Sequence, residues 1–158
     1  MNIMLIDDNK IDLFVNQKII ERLSTGCDIR AFTSACSAIN FLKILEDKGA
    51  YPTMFVPDVI LLDINMPEMD GFQFLEAFDE LSGIDKKSIR IYMLSSSTSP
   101  QDVEKIEESN SCIGLIDKPL KTYIVEEILE EFRPYLKQFD AEAEDINLVD
   151  CKQSIKVK

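Results

Sequence analysis

The chain has 158 residues, 46% of them hydrophobic, and its 29 acidic and 17 basic residues give a formal net charge of −12. This length and composition predict a single globular domain with a proper core, and the acidity argues against a nucleic-acid or anionic-membrane surface. The sequence contains no histidine, which excludes a His-based catalytic triad, a His metal ligand and a role as a histidine phosphocarrier.

The location that the sequence predicts is the cytoplasm. No apolar run approaches the roughly 20 residues that cross a bilayer, and the first residues lack the basic flank of a signal peptide. The cysteines form no CxxC pair, so we expect them to be reduced and to serve mainly in packing. They are Cys27, Cys36, Cys112 and Cys151.

The first third of the chain reads as strand, helix, strand and helix. Residues 2–6 form an apolar run, and residues 27–32 alternate loosely, as in an outer strand. The helix between them has apolar residues at helical spacing, which predicts that they face inward: Ile11, Phe14, Val15, Ile19 and Leu23. Ser34 is a candidate N-cap for the second helix, whose predicted inner face is Ala35, Ala38, Ile39, Leu42 and Leu45.

The centre of the chain is the stretch 57–71. Residues 59–62 are four consecutive aliphatic residues, which is typical of a strand buried on both faces of a parallel sheet. Asp63 follows directly, and Met66-Pro67 and Asp70-Gly71 predict a turn soon afterwards. The helix that comes next is predicted to bury Phe72, Leu75 and Phe78, with Phe74 flanking.

The remaining elements repeat the alternation. Strands are predicted at 89–94 and 112–116, and a short acidic helix that Ser99-Pro100 opens separates them. In this helix Val103 and Ile106 are the predicted apolar contacts, and the last helix continues to Pro134. The predicted inner face of that last helix is Tyr123, Ile124, Ile128, Leu129 and Phe132.

Five strands alternating with five helices predict an α/β protein with a doubly wound parallel sheet. We take the flavodoxin-like strand order 2-1-3-4-5. The domain is expected to cover residues 1–136. Residues 137–158 begin acidic and end with two short alternating segments, at 146–149 and 155–157. We read them as a flexible tail, with an added strand or a partner-docking segment as the alternative.

Three carboxylates follow two strands that this order makes neighbours. Asp7 and Asp8 end the first strand and Asp63 ends the third, so all three are expected at the carboxyl edge, where open α/β sheets bind ligands. A role as a cap or turn residue accounts for each aspartate when it is considered alone. Clustered carboxylates repel one another, however, and a hard divalent cation, Mg²⁺ rather than zinc, relieves that repulsion.

Ser95 and Lys118 end the fourth and fifth strands. A hydroxyl can donate to one oxygen of a phosphoryl group and an ammonium can neutralise another, while a cation holds a third. A surface lysine before a turn proline is the ordinary explanation of Lys118 alone. Beside the acidic residues, it indicates a phosphoryl site.

These motifs resemble the receiver domain of two-component response regulators, the CheY-like family. The resemblance covers about residues 1–136, and no single motif carries it. The residues concerned are Asp7-Asp8, Asp63, Met66-Pro67, Asp70-Gly71, Ser95 and Lys118-Pro119.

The resemblance implies a role for each site residue. Asp63 would be the phosphoacceptor, forming an aspartyl phosphate. Mg²⁺ would be bound by Asp8 directly, by Asp7 through water, by Asp63 and by the backbone carbonyl of Asn65. The Lys118 ammonium would pair with the phosphoryl group, and the peptide bond between Lys118 and the following proline would be cis.

Signal output is also implied, with one departure from the family pattern. Ser95 would move toward the phosphoryl group and report the change to the fourth helix, fifth strand and fifth helix. The family usually has an aromatic residue three positions before the lysine, and here Leu115 stands there. We therefore expect the coupling to use Ser95 and its loop without a rotating aromatic ring.

We expect a stand-alone response regulator, because residues 137–158 are too few for an output domain. The phosphoryl group would come from a sensor histidine kinase or a histidine phosphotransfer protein, and the output would be binding of another protein by a monomer or weak homodimer. It would be a switch and not an enzyme. The alternatives are a phosphorylation-independent scaffold and a Mg²⁺-dependent phosphohydrolase of the haloacid dehalogenase type. The phosphohydrolase would require an aspartate at position 65, where this chain has Asn65.

Overall fold

In the computed structural model, the described residues are 1–24, 26–48, 55–97 and 99–132. They contain β1 (Asn2–Ile6), α1 (Lys10–Leu23), β2 (Asp28–Phe32), α2 (Ala35–Lys48), β3 (Val59–Asp63), α3 (Gly71–Asp79), β4 (Arg90–Ser95), α4 (Pro100–Glu108) and β5 (Cys112–Asp117). A 3₁₀ turn at Lys86–Ser88 precedes β4, and residues 122–132 form α5 up to the last described residue. The predicted tail at 137–158 lies outside the described residues.

The strands form one parallel sheet in the order β2-β1-β3-β4-β5, which confirms the predicted topology. All five residues of β3 are buried, as its uninterrupted aliphatic sequence predicts for a central strand. The β4–β5 pairing contains a register shift beside Ile91 and Tyr92, so that Tyr92 lies opposite Gly114. Both β2 and β5 are edge strands.

The two faces of the sheet carry separate core clusters. Met4, Ile60 and Ile91 point to the face that α2 and α3 cover, and Ile3, Leu61 and Leu94 point to the face of α1 and α5. The alternation along each strand follows from the two-residue period of strand side chains. The predicted inner face of α2 is buried completely.

The predicted inner face of α1 is wrong at three of its five residues, whereas Ile19 and Leu23 are partly buried against the core. Ile11, Phe14 and Val15 are 72%, 61% and 41% exposed, whereas the buried residues of this helix are Leu13, Asn16 and Ile20. Apolar residues lie around more than half of this helix, so spacing alone could not choose between two stripes. The structure buries the stripe that contains Asn16 and leaves Ile11, Phe14 and Val15 uncovered.

Smaller corrections concern the later helices. Phe74 is fully buried rather than flanking, and Tyr123 is 54% exposed while its neighbour Val125 is buried. Val103 is exposed and Ile106 buried, so only one of the two predicted contacts of α4 holds. Pro100 opens α4, as predicted, and the side chain of Ser99 caps it.

Polar side chains at the amino end of the sheet are paired with backbone groups. Asp58 accepts a hydrogen bond from the Asn2 backbone N–H at 2.7 Å. Glu46 on α2 accepts from the backbone N–H groups of Ser82 and Gly83, both at 2.5 Å. These contacts join the loops at that end to the strands and to α2.

Among the described residues, none of the helices combines the length and the apolar character that crossing a bilayer requires. Cys27, Cys36 and Cys112 are half-buried and free of disulfide bonds.

Candidate functional site

The predicted carboxylates meet at the carboxyl edge of the sheet. Asp7 follows β1 and Asp63 ends β3, and these two strands are hydrogen-bonded neighbours. Asp7 and Asp63 are 1% and 4% exposed, whereas Asp8 is exposed to solvent. Oxygen atoms of all three lie within 4.8 Å of one another. The topology therefore brings Asp63 together with residues that are 55 and 56 positions earlier in the chain.

Local backbone contacts hold these side chains in place. The Asp7 N–H donates to the carbonyl of Phe32 at 3.1 Å, and the Asp7 carboxylate accepts the Asn9 N–H at 2.8 Å. Gly71 begins α3 directly behind Asp63. A Cβ at this position would lie 2.8 Å from the Asp63 carbonyl oxygen, so the close approach requires glycine.

Lys118 is the cation of the site. Its Nζ lies 2.5 Å from Oδ1 of Asp63 and 2.6 Å from Oδ2 of Asp7. The peptide bond between Lys118 and Pro119 is cis, as the family resemblance implies. The ammonium thus bridges the ends of β1 and β3 from the loop after β5.

Burial and pairing act in opposite directions on these groups. Burial raises the pKa of the Asp63 carboxyl, and the hydrogen bond from Lys118 offsets part of that rise. Burial alone would lower the pKa of the Lys118 ammonium, but its bonds to Asp63 and Asp7 raise it overall. The site therefore holds a charged lysine between carboxylates that are short of counter-charge.

Ser95 lies at the same edge, and its hydroxyl is hydrogen-bonded to the backbone of Ser97. Its Oγ donates to the Ser97 carbonyl at 2.7 Å, and its own carbonyl accepts the Lys118 N–H at 2.7 Å. Ser95 is buried. Asn65 is exposed in the loop between β3 and α3, two residues beyond Asp63.

The donor set fits a hard divalent cation. Three carboxylates supply oxygen atoms only, and Asp8 opens the cluster to water. Mg²⁺ prefers such oxygen ligands and keeps several of its waters. Receiver domains generally bind Mg²⁺ in an acidic pocket, and this cluster of aspartates has that character.

Sequence reasoning missed Asp12. This residue lies in the first turn of α1, and its Oδ2 is 3.3 Å from Nζ of Lys118. It shares a helix face with the buried Asn16, four residues on, and both line a pocket of about 290 Å³ beside Lys118. The four-residue spacing would have revealed Asp12 if the inner face of α1 had been predicted correctly.

Leu115 stands where the family usually has an aromatic residue. It is half-buried in β5 and packs against the core cluster on the α2 and α3 face of the sheet.

A parallel sheet in this order, with an acidic cluster and a lysine at its carboxyl edge, defines the class of CheY-like signalling domains. The response regulator receiver domain model matches residues 3–133, and the chain belongs to this family.

Known proteins of this kind are similar over most of the chain. A receiver protein structure from Dyadobacter fermentans is 34% identical, with a TM-score of 0.68, and the match covers 84% of this chain and 97% of the other. The "Two-component response regulator ORR1" of rice is 30% identical over 130 residues, 80% of this chain and 52% of the rice protein. The "Probable methanogenesis regulatory protein FilR2" of Methanothrix harundinacea is 26% identical over 133 residues, 84% of this chain and 81% of that protein.

Proposed function

We propose that the chain is a phosphorylation-controlled signalling switch in which Asp63 accepts a phosphoryl group. The observation that carries the proposal is the single ammonium of Lys118, 2.5 Å from Asp63 and 2.6 Å from Asp7, beside a third carboxylate. Clustered carboxylates repel one another, which lowers stability. A requirement for stability therefore does not explain why three of them lie together around Lys118.

The reaction we propose is a transfer from a phosphohistidine. An Asp63 carboxylate oxygen attacks phosphorus, the P–N bond to the donor imidazole breaks, and a P–O bond forms an aspartyl phosphate. The imidazole leaves with the bonding electron pair. Lys118, already within hydrogen-bond distance of Asp63, then pairs with a phosphoryl oxygen and offsets the added negative charge.

Asp7, Asp8 and Asp63, with the backbone carbonyl of Asn65, would hold Mg²⁺. When bound, the cation supplies positive charge to the phosphoryl oxygens as they approach the carboxylates. The residues of the chain supply the rest of the site. Asp7 fixes Lys118 through an ion pair at 2.6 Å, and Asp12 holds the same ammonium from the side of α1.

Ser95 is the residue that would report phosphorylation to the rest of the domain. Its hydroxyl now donates to Ser97, and a phosphoryl oxygen would be a stronger, charged acceptor. Turning toward it would break the Ser97 contact in the loop before α4. The switch works only to the extent that the phosphoryl group interacts better with one arrangement than with the other.

The uncovered face of α1 is where we place the donor protein. Ile11, Phe14 and Val15 are exposed on the helix whose first turn contacts Lys118 through Asp12. Exposed apolar patches are typical of protein interfaces, and this one is on the helix that begins shortly after Asp7 and Asp8. A donor histidine kinase or phosphotransfer protein docked there could reach the acceptor.

The test of the acceptor is intact mass after incubation with acetyl phosphate and Mg²⁺. We expect one hydroxylamine-labile phosphoryl adduct, absent without Mg²⁺ and absent in Asp63→Asn. Asp12→Asn is the matched control, since it also removes a carboxylate that contacts Lys118, and it should keep the adduct. An adduct that survives in Asp63→Asn would overturn the assignment, and the absence of both adduct and Mg²⁺ binding would favour the scaffold.

The test of the docking face compares two phosphodonors. Phe14→Asp should slow transfer from a phosphorylated histidine phosphotransfer domain by about tenfold or more and leave labelling by acetyl phosphate unchanged. Ile44→Asp, which alters an exposed apolar residue on α2, is the control. Equal slowing in both variants would contradict the placement on α1.

A further inference from the structure

The outer edge of β5 is open and apolar. Among the described strands β5 pairs only with β4, and its residues 112–116 are Cys-Ile-Gly-Leu-Ile, with neither lysine nor proline. Ile113 is 56% exposed. Proteins usually protect edge strands with charges, proline or a covering segment. We therefore expect another strand to pair with this edge.

A groove runs along the same edge on the α5 side. Gly114 has nothing within 4 Å of the position that a Cβ would take, which leaves space beside Tyr92, its partner on β4. The groove encloses about 320 Å³, with an aromatic and aliphatic lining and carboxylates among its borders. These residues include Tyr92, Ile116, Tyr123, Ile128, Glu127 and Glu131. An apolar side chain would fit above Gly114.

Both helices next to β5 are acidic. α4 has four carboxylates and one lysine, and residues 122–132 of α5 have four carboxylates and no basic residue. Glu131 already pairs with Arg90, whereas Glu127 borders the groove without an ion-pair partner among the described residues. An occupant of this edge should therefore be extended, apolar on one side and basic.

Residues 151–158 of the chain have this character. They lie outside the described residues, and their sequence is Cys-Lys-Gln-Ser-Ile-Lys-Val-Lys, with three lysines and no acidic residue. Ile155 and Val157 alternate with Lys156 and Lys158, so in an extended strand they occupy opposite sides. The preceding stretch 140–145 contains four acidic residues and would be repelled.

We propose that residues 154–158 add to the open edge of β5 as a sixth strand. Ile155 and Val157 occupy the groove above Gly114 on the α5 side, and Lys156 and Lys158, on the opposite side of the strand, interact with the carboxylates of α4. Residues 133–153 connect α5 to this strand, and at about 3.3 Å per extended residue they reach β5 without strain. Tethering gives an effective concentration of about millimolar, so weak pairing suffices. The covered edge is then closed to a second copy or another protein.

The proposal is independent of phosphoryl transfer and is tested by amide hydrogen exchange on the full chain. The variant Ile155→Asp/Val157→Asp should accelerate exchange in residues 112–117 by about tenfold and leave β2 unchanged. Ile146→Asp/Val149→Asp, which alters the other alternating segment of the tail, is the matched control and should leave β5 unchanged. A synthetic peptide of residues 151–158, with Cys151→Ser, should restore protection when added to the first variant, whereas a scrambled peptide should not.

Charge reversal tests the orientation of the lysines toward α4. Glu107→Lys, at an exposed glutamate of α4, should accelerate β5 exchange, and combining it with Lys156→Glu should restore protection. Identical β5 exchange in the parent chain and Ile155→Asp/Val157→Asp would overturn the proposal, as would equal protection by the scrambled peptide. Protection that rises with protein concentration would identify a second copy as the occupant and overturn the intramolecular contact.

Discussion

At the amino end of the sheet, charged side chains have partners of their own. Asp58 accepts the Asn2 N–H, and Glu46 accepts two backbone N–H groups of the loop after α3. At the carboxyl end, three carboxylates, those of Asp7, Asp12 and Asp63, share the ammonium of Lys118. The first end satisfies its polar groups, as a stable protein must. The second leaves negative charge without compensation.

This difference indicates that the amino end of the sheet contributes mainly to stability and the carboxyl end mainly to binding. If this end binds a cation and a phosphoryl group as proposed, its ligands must repel one another in their absence. Substitutions of the carboxylates at the carboxyl end should therefore change binding most, and can even raise stability. Substitutions at the amino end should change stability alone.

The largest effect is expected from Lys118→Met. Removing the ammonium leaves the buried Asp7 and Asp63 carboxylates facing each other, which should lower the free energy of unfolding by about 3 kcal/mol without Mg²⁺. Labelling of the chain by acetyl phosphate should fall by about a hundredfold or more. Urea denaturation and intact mass measure the two effects. Lys18→Met, at an exposed lysine paired with Glu21, should change neither.

Asp58→Ala should show the opposite profile. It removes the charged acceptor of the Asn2 N–H, so we expect a loss of about 2 kcal/mol in the free energy of unfolding. The rate of labelling by acetyl phosphate should stay that of the parent chain, because Asp58 lies at the far end of the strand from Asp63. Asp58→Asn keeps an acceptor oxygen and should recover most of the loss. A slower labelling rate in the folded Asp58→Ala protein would contradict the separation.

Asp8→Asn should raise stability while weakening binding. It removes one of the three clustered carboxylates, and relief of repulsion at this exposed position is worth about 1 kcal/mol in Mg²⁺-free buffer. The affinity for Mg²⁺ should fall by about tenfold or more. Calorimetric titration and urea denaturation test the two directions together. A variant that loses both stability and affinity would show that Asp8 has a structural role instead.

The smallest effect is a pH dependence at the amino end. Hydrogen bonds from Gly83 and Ser82 lower the pKa of Glu46 from its ordinary value of 4.5. A lowered carboxyl pKa stabilises the fold above the ordinary value, and this contribution disappears as the pH falls through the lowered pKa. Glu46→Gln should therefore be less stable than the parent chain at neutral pH and converge with it in acid. Urea midpoints across that range measure the convergence, and a constant difference would contradict it.

The sheet could be predicted from the sequence because its signals are local and unopposed. The aliphatic run before Asp63 and the polar residues at each strand end specify a buried parallel strand and a functional edge. The predicted strand order alone was then enough to bring four site residues together at this edge: Asp7, Asp8, Asp63 and Lys118.

Helix orientation could not be predicted in the same way. α1 has two apolar stripes, and spacing favours the one containing Ile11 and Phe14, which the structure leaves exposed. Tertiary packing buries the stripe that contains Asn16. The Asp12 contact with Lys118 was missed because Asp12 is on this same face of the helix, which spacing did not favour. Tyr123 was misplaced on α5 because an amphipathic ring is favourable on either side of a helix surface.

The half-buried thiol of Cys112, at the start of β5, gives the chain a chemical reporter of its own. Burial raises the pKa of this thiol, so at neutral pH it stays protonated and reacts slowly with alkylating reagents. Any event that exposes the start of β5 should accelerate its alkylation relative to Cys27 and Cys36 in the same molecule. Peptide mass spectrometry after a short pulse of iodoacetamide could then follow the state of this edge in a crude extract, without a fluorophore or a purified partner.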